Sequence, residues 1–102
     1  MLMKMLIIVA REYMLEELEK LLRDNDITAY TIVKKATGKG KAGQVRETVF
    51  AETNMLILAV LSSDRVHNAV NALKTVLTVR TEAAHGQPIP LKVFCSPCEE
   101  LL

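Results

Sequence analysis

Met3-Lys4-Met5-Leu6-Ile7-Ile8-Val9-Ala10-Arg11 is the stretch on which the fold turns. Its centre is unbroken aliphatic, it is far too short to cross a bilayer, and Arg11-Glu12 closes it at once. A run of this length reads as a strand covered on both faces. Met55-Leu56-Ile57-Leu58-Ala59-Val60-Leu61 repeats the pattern. Between the two, Tyr13 to Asp24 has helical spacing. Met14, Leu15, Leu18, Leu21 and Leu22 form one stripe, and Glu16, Glu17, Glu19, Lys20 and Arg23 lie outside it. Asn25-Asp26 supplies turn chemistry. Ile27 to Thr37 is rich in β-branched and aromatic residues and predicts a second strand. After Leu61, Ser62 or Ser63 stands where a helix cap is needed, with Asp64 in the first turn. Val66, Ala69, Val70, Leu73, Val76 and Leu77 then recur at helical spacing. Arg80 to Pro90 holds a Gly and two Pro and reads as a loop, and Leu91 to Cys95 as a last short strand.

The order strand, helix, strand, strand, helix, strand is the α+β, ferredoxin-like split βαβ arrangement (βαββαβ), one domain over residues 1–102. That topology puts the first and third strands in the middle of an antiparallel sheet, and these are the two unbroken apolar runs. Two helices cover only one sheet face. The chain has no further element for the other, so an oligomer packed through the open face is expected. Composition agrees. Half of the 102 residues are hydrophobic, only 4% are aromatic and none is Trp. That is an aliphatic surplus for a domain with so high a surface-to-volume ratio.

Several function classes are disfavoured. Thirteen Lys and Arg against twelve Asp and Glu leave a net charge of +1, without the basic excess of a dedicated nucleic-acid binder. No secretory core or membrane span is visible, so a soluble cytoplasmic protein is expected. Cys95 and Cys98 are too few and too close for a secreted disulfide framework. There is no Gly-x-Ser-x-Gly, no supported Ser-His-Asp order and no metal-ligating cluster, and Glu16, Glu17 and Glu19 read as a solvated face. The expectation is a binding or signalling module, not an enzyme, with no resident metal.

Three segments carry candidate chemistry. Residues 34–52 are much longer than an ordinary hairpin loop and hold Lys34, Lys35, Lys39, Lys41 and Arg46, with Gly38, Gly40 and Gly43 between them. Glycines let backbone N–H groups converge on an anion and lysines add charge, which suits a phosphate. The plainer reading is a solvated hairpin tip. Cys95-Ser96-Pro97-Cys98 has the spacing of a small redox disulfide or of two zinc ligands, but it closes a strand instead of opening a helix. His67 and His85 lack metal spacing to it. His85-Gly86-Gln87-Pro88 precedes the last strand. In this topology it meets the base of the long loop most easily across a subunit boundary, where His85 is placed to bond a phosphate or ribose. A solvated loop histidine is the plainer reading.

These pieces, in their order, resemble the PII signal-transduction superfamily, in particular its shorter PII-like members. Met3–Arg11 is similar to the family's first strand, which ends in a basic residue. Ile27-Thr28-Ala29-Tyr30-Thr31-Ile32 resembles its second strand, Ile-Thr-Gly-Met-Thr-Val. Gly38-Lys39-Gly40-Lys41 falls near the Gly-x-Gly-Arg turn at the base of its T-loop. Val60-Leu61-Ser62-Ser63-Asp64-Arg65-Val66 is similar to Val-Val-Pro-Asp-Asp-x-Val. The resemblance implies a homotrimer whose sheets face the threefold axis and which binds an adenine nucleotide (ADP, ATP or AMP) between subunits. It also implies a T-loop, about residues 37–52 here, that changes with the ligand and docks on a membrane transporter or metabolic enzyme.

By the same resemblance, Gly38, Lys39, Gly40 and Lys41 sit at the phosphates. Val9, Thr28 and Leu61 line the adenine and ribose. His85, Gly86 and Gln87 stand in the B-loop position. There are departures. Gly86 is followed by Gln87-Pro88 where the family has Gly-x-Gly-Lys, leaving Lys92 as the substitute cation, and no arginines follow Cys98. Thr37 to Glu52 lacks Tyr, so tyrosine nucleotidylation is not expected, and Gln44 does not align with the family's 2-oxoglutarate glutamine. Cys95 and Cys98 are loosely similar to a C-terminal redox pair of some PII-like proteins linked to inorganic-carbon uptake. The alternative is a metal- or redox-responsive trimer of the same fold, similar to the divalent-cation tolerance proteins, using Cys95, Cys98 and His85.

Overall fold

The computed structural model describes residues 2–36 and 53–102. Strand β1 (Met3–Arg11) passes through a single 3-10 turn (Glu12–Met14) into helix α1 (Leu15–Asp24). Then come β2 (Thr31–Ala36), β3 (Asn54–Ser62), α2 (Ser63–Ala83) and β4 (Lys92–Cys98). The strands form an antiparallel sheet in the order β2-β3-β1-β4, with the two apolar runs in the centre as expected.

β1 and β3 pair along their whole length, from Met3 opposite Ser62 to Arg11 opposite Asn54. Side chains of a strand alternate between faces, so the ladder sorts the sheet into two sides. Leu6, Ile8 and Ala10 of β1 and Met55, Ile57, Ala59 and Leu61 of β3 are buried under the helices. They pack with Met14, Leu18 and Leu22 from the first helical segment and with Val66, Ala69 and Leu73 of α2. Met5, Ile7 and Val9, with Leu56 and Leu58, lie on the other side and are half-buried, while Val33, Val60 and Phe94 on that side are exposed. No polar side chain is buried among the described residues.

Both helices end by the same device, and neither ends on glycine at the left-handed position. After α1, Asp26 adopts φ 58° and its N–H bonds the Arg23 carbonyl (3.0 Å), while the Ile27 N–H bonds Leu22 O (2.8 Å). After α2, His85 adopts φ 54° and bonds Glu82 O (3.1 Å), while Gly86 bonds Thr81 O (2.9 Å). This is the Schellman pattern, which satisfies the last orphan carbonyls of a helix. It also explains two departures from the sequence reading. Ile27 is spent on closing α1 and burying its side chain, so β2 begins at Thr31 and not at Ile27. α2 continues through Arg80 to Ala83 before its closure, into a stretch that the Gly and Pro content marks as loop.

β4 also runs further than expected, to Cys98. Pro97 lies inside it because β4 is an edge strand, where a missing N–H is tolerated. At the start of α2, Ser62 has the extended backbone of a cap but makes no side-chain cap bond. It hydrogen-bonds Asp64 instead, which holds that carboxyl below the usual carboxylate range. Ser63 ties to Leu2 O through both its N–H (3.1 Å) and its hydroxyl (3.3 Å). The Arg65 guanidinium bonds the carbonyls of Asn25 and Asp26, pinning α2 to the end of α1. At the other end of the helix layer, Arg80 pairs with Glu17 (2.6 Å) and lies 5.4 Å over the Tyr13 ring.

Candidate functional site

The candidate residues divide between the two ends of the sheet. At one end, β1 and β2 finish and β3 and β4 begin. Val9 stands opposite Lys92 in the β1–β4 ladder, on the face away from the helices. Ala36 stands opposite Asn54, so both roots of segment 37–52 leave the sheet here. The Glu12 N–H to Thr53 O bond (2.9 Å) carries the β1–β3 pairing one step past the strands. Just before its root, β2 carries a bulge: Lys35, at φ 57°, falls between Lys34 opposite Met55 and Ala36 opposite Asn54. An extra residue of this kind bends a strand and re-aims the chain beyond it. His85, Gly86 and Gln87, between α2 and β4, reach the same end. Arg11, Lys34, Lys35, Arg80 and Lys92 stand at this end with Glu12, Glu16, Glu17 and Glu82, so its charge is nearly balanced.

Leu61 and Thr28 lie at the opposite end. Leu61 stands opposite Lys4, five ladder positions from Leu56, Val9's partner, and so about 17 Å from Val9. It is also on the helix face and only 4% exposed. Thr28 is exposed in the segment that leads into β2. One chain therefore does not bring Val9 and Leu61 to a common ligand. Nor does it join the loop at residues 85–87 to the root of segment 37–52. The loop adjoins β4, whereas the two roots leave β2 and β3, about three and two strand spacings or roughly 14 and 10 Å away. Gly38, Lys39, Gly40 and Lys41, and the whole T-loop-like stretch 37–52, lie outside the described residues.

His85 and Gly86 have a local role as well as a candidate one, since they close α2. A Cβ added at Gly86 meets nothing within 4 Å, so the glycine answers to its φ of 83° and not to crowding. The cysteines do not face each other. Cys95 is paired with Leu6 and shares the helix face, whereas Cys98 is paired with Met3 and shares the open face. Three residues of extended strand separate their Cα atoms by about 10 Å, beyond the roughly 7 Å limit for a disulfide. β4 would have to unravel for them to join. Tyr30, in the segment carrying Thr28, donates its hydroxyl to Glu19 on α1. That bond holds the phenol above the usual tyrosine range, with burial and the Glu19 charge adding to it.

The sequence reading overlooked an apolar groove of about 420 Å³ between α2 and β4, lined by Val70, Leu73 and Leu77 on one side and Val93 and Cys95 on the other. A signal for it was present: the apolar stripe of α2 is wider than two sheet-facing rows require.

Comparison with known proteins settles the family. The model of the nitrogen regulatory protein P-II family matches residues 3–101. The chain belongs to the P-II family. Among solved P-II-like structures, CPII from Thiomonas intermedia K12, bound to ADP, AMP and bicarbonate, is 21% identical with a TM-score of 0.74, over 96% of this chain and 87% of that one. A putative PII-like signaling protein from Thermus thermophilus is 18% identical with a TM-score of 0.61, over 95% and 87%. These two show a shared fold. The B. subtilis GlnK–ATP complex is 26% identical with a TM-score of 0.65, over 95% and 82%. No curated protein matches the chain. Among the described residues of this P-II protein, no helix is long and apolar enough to cross a membrane.

Proposed function

We propose that this P-II protein is a non-enzymatic cytoplasmic signalling trimer that binds an adenine nucleotide of the ADP, ATP or AMP class between subunits. The observation that carries the proposal is the gathering at one end of the sheet. The Val9–Lys92 pair, the roots of segment 37–52 and the loop at 85–87 share that end, with the roots on β2 and β3 and the loop beside β4. The arrangement suits a ligand held between neighbouring copies, and relatives of this fold are described with ADP, AMP or ATP bound.

In the proposed site, Gly38, Lys39, Gly40 and Lys41 meet the phosphates, where backbone N–H groups and ammonium charge converge on an anion. Val9 of one copy and Thr28 of a neighbour line the base and ribose, and Leu61, buried under the helices, is left out of the lining. His85, Gly86, Gln87 and Lys92 close the cleft from a neighbour. The half-buried face of Met5, Ile7, Val9, Leu56 and Leu58 packs on sister sheets. The whole of residues 1–102 acts as one domain, and residues 37–52 carry the signal to a membrane transporter or metabolic enzyme. A ligand that prefers one state of that segment shifts its population, and with it the affinity for the target.

Titration calorimetry with ADP, ATP, AMP and cyclic nucleotides tests this. Saturable heat with at least one is expected, and no heat with any of them sinks the nucleotide reading. Gly40→Asp is expected to weaken the binding at least about tenfold by repelling phosphate. Wild-type affinity in that variant removes the segment from the site. The competing redox reading gains nothing from β4, which holds Cys95 and Cys98 on opposite faces.

A further inference from the structure

α2 lies over β1 and β3 and leaves the helix-side face of β4 at its flank, which opens the groove of about 420 Å³ between them. Val70, Leu73 and Leu77 wall it, Val93 and Cys95 floor it, and Lys74 stands at its edge. Among the described residues, no acidic side chain lines it. β4 is followed by Glu99-Glu100-Leu101-Leu102, in which Leu101 is 82% exposed and Leu102 fully exposed. An apolar groove edged by the Lys74 cation and an apolar segment led by acids are complementary in both hydropathy and charge.

We propose that Leu101 and Leu102 of a second copy fill this groove, with Glu99 and Glu100 facing Lys74 at its edge. The chain's own segment does not serve. Leu101 is three residues past Cys98 and reaches at most about 10 Å back from it. Val93, on the groove floor, is five residues before Cys98, about 17 Å away along β4. The chain's own segment reaches no further than the Cys95 end, so filling the groove as far as Val93 takes a segment from another molecule. The inference goes beyond the trimer described above, because it uses the helix face of β4, whereas that assembly uses the open face bearing Ile7 and Phe94.

Crosslinking of the full chain tests it. In a Cys98→Ser background, Leu101→Cys is oxidised with copper(II) phenanthroline. A disulfide between Cys95 of one copy and the thiol introduced in another is expected, seen as a dimer band on a non-reducing gel that Cys98→Ser alone does not give. A monomer band only, whether unbridged or bridged within one chain, overturns the proposal. A second readout is iodoacetamide alkylation of Cys95 in Cys98→Ser protein. Leu101→Asp with Leu102→Asp is expected to speed it about tenfold by emptying the groove, and an unchanged rate overturns the proposal. Sedimentation of that variant separates the two assemblies. The open-face trimer is expected to persist without the segment; a wild type that sediments as a trimer, with no crosslink from Leu101→Cys, overturns the groove alone, and a monomeric wild type overturns both.

Discussion

The two faces of the central strands are built from nearly the same residues and have different fates. On the helix side of β3, Met55, Ile57 and Ala59 are closed off from solvent. On the other side, their neighbours Leu56 and Leu58 are half-open and Val60 is 44% exposed. Hydrophobicity alone does not distinguish them. The position of two helices separates core from contact surface, and those helices cover one side. A residue's apolar character thus states that it is destined to be covered, and topology states by what.

Substitutions on adjacent residues of β3 break the comparison most directly. Ile57→Ala on the helix face is expected to cost about 2–5 kcal/mol, by lost burial and a cavity, at any protein concentration. Urea unfolding followed by circular dichroism measures it. Leu58→Glu, one residue on, is expected to leave the far-ultraviolet spectrum of the fold intact and to dissociate the assembly into monomers in sedimentation equilibrium. If both variants unfold alike and neither changes the oligomeric state, the two faces are not functionally distinct.

The helix layer can be sharpened without touching either face. His85 holds the left-handed position that closes α2, a conformation unfavourable for a residue with a Cβ. His85→Gly is expected to raise stability by about 0.5–1 kcal/mol, read as a higher urea midpoint. A nucleotide affinity that falls in the same variant separates the imidazole's binding role from its place in the helix end. The smallest effect concerns Tyr30. Its phenol is raised by the bond to Glu19, so that bond contributes fully below the unfolded tyrosine value and is lost as pH rises through the higher folded value. Ultraviolet titration of Glu19→Gln is expected to bring Tyr30 back toward about 10. An unmoved titration assigns the shift to burial instead.

The fold was legible because Met5–Ala10 and Met55–Leu61 are unbroken apolar runs, and the order strand, helix, strand, strand, helix, strand puts those two runs at the centre of a split βαβ sheet. The ends of elements were harder. Ala84-His85-Gly86 closes a helix, but a histidine at the left-handed position carries a weaker signal than glycine does. Pro97 reads as a strand breaker until the strand is known to be an edge. The site was legible as chemistry and not as geometry. Glycines and lysines mark residues 37–41 as suited to phosphate whatever surrounds them. That Val9 and Leu61 fall on opposite faces and opposite ends of one sheet depends on side-chain alternation, and a strand apolar at every position hides its alternation. The groove beside β4 left only a faint trace for a related reason: its residues look like ordinary core until the lateral reach of α2 is known.

The interrupted edges of the sheet have a consequence for how copies meet. β2 turns aside at the Lys35 bulge near its end, and β4 carries a proline one residue before its own. An incoming strand that tried to extend the sheet finds a kinked template on one side and a missing donor on the other. Copy-to-copy sheet growth, the geometry of fibrils, is thereby discouraged in a chain whose exposed aliphatic side chains would otherwise invite it. The molecule can keep a sticky face in concentrated solution because its rims do not propagate.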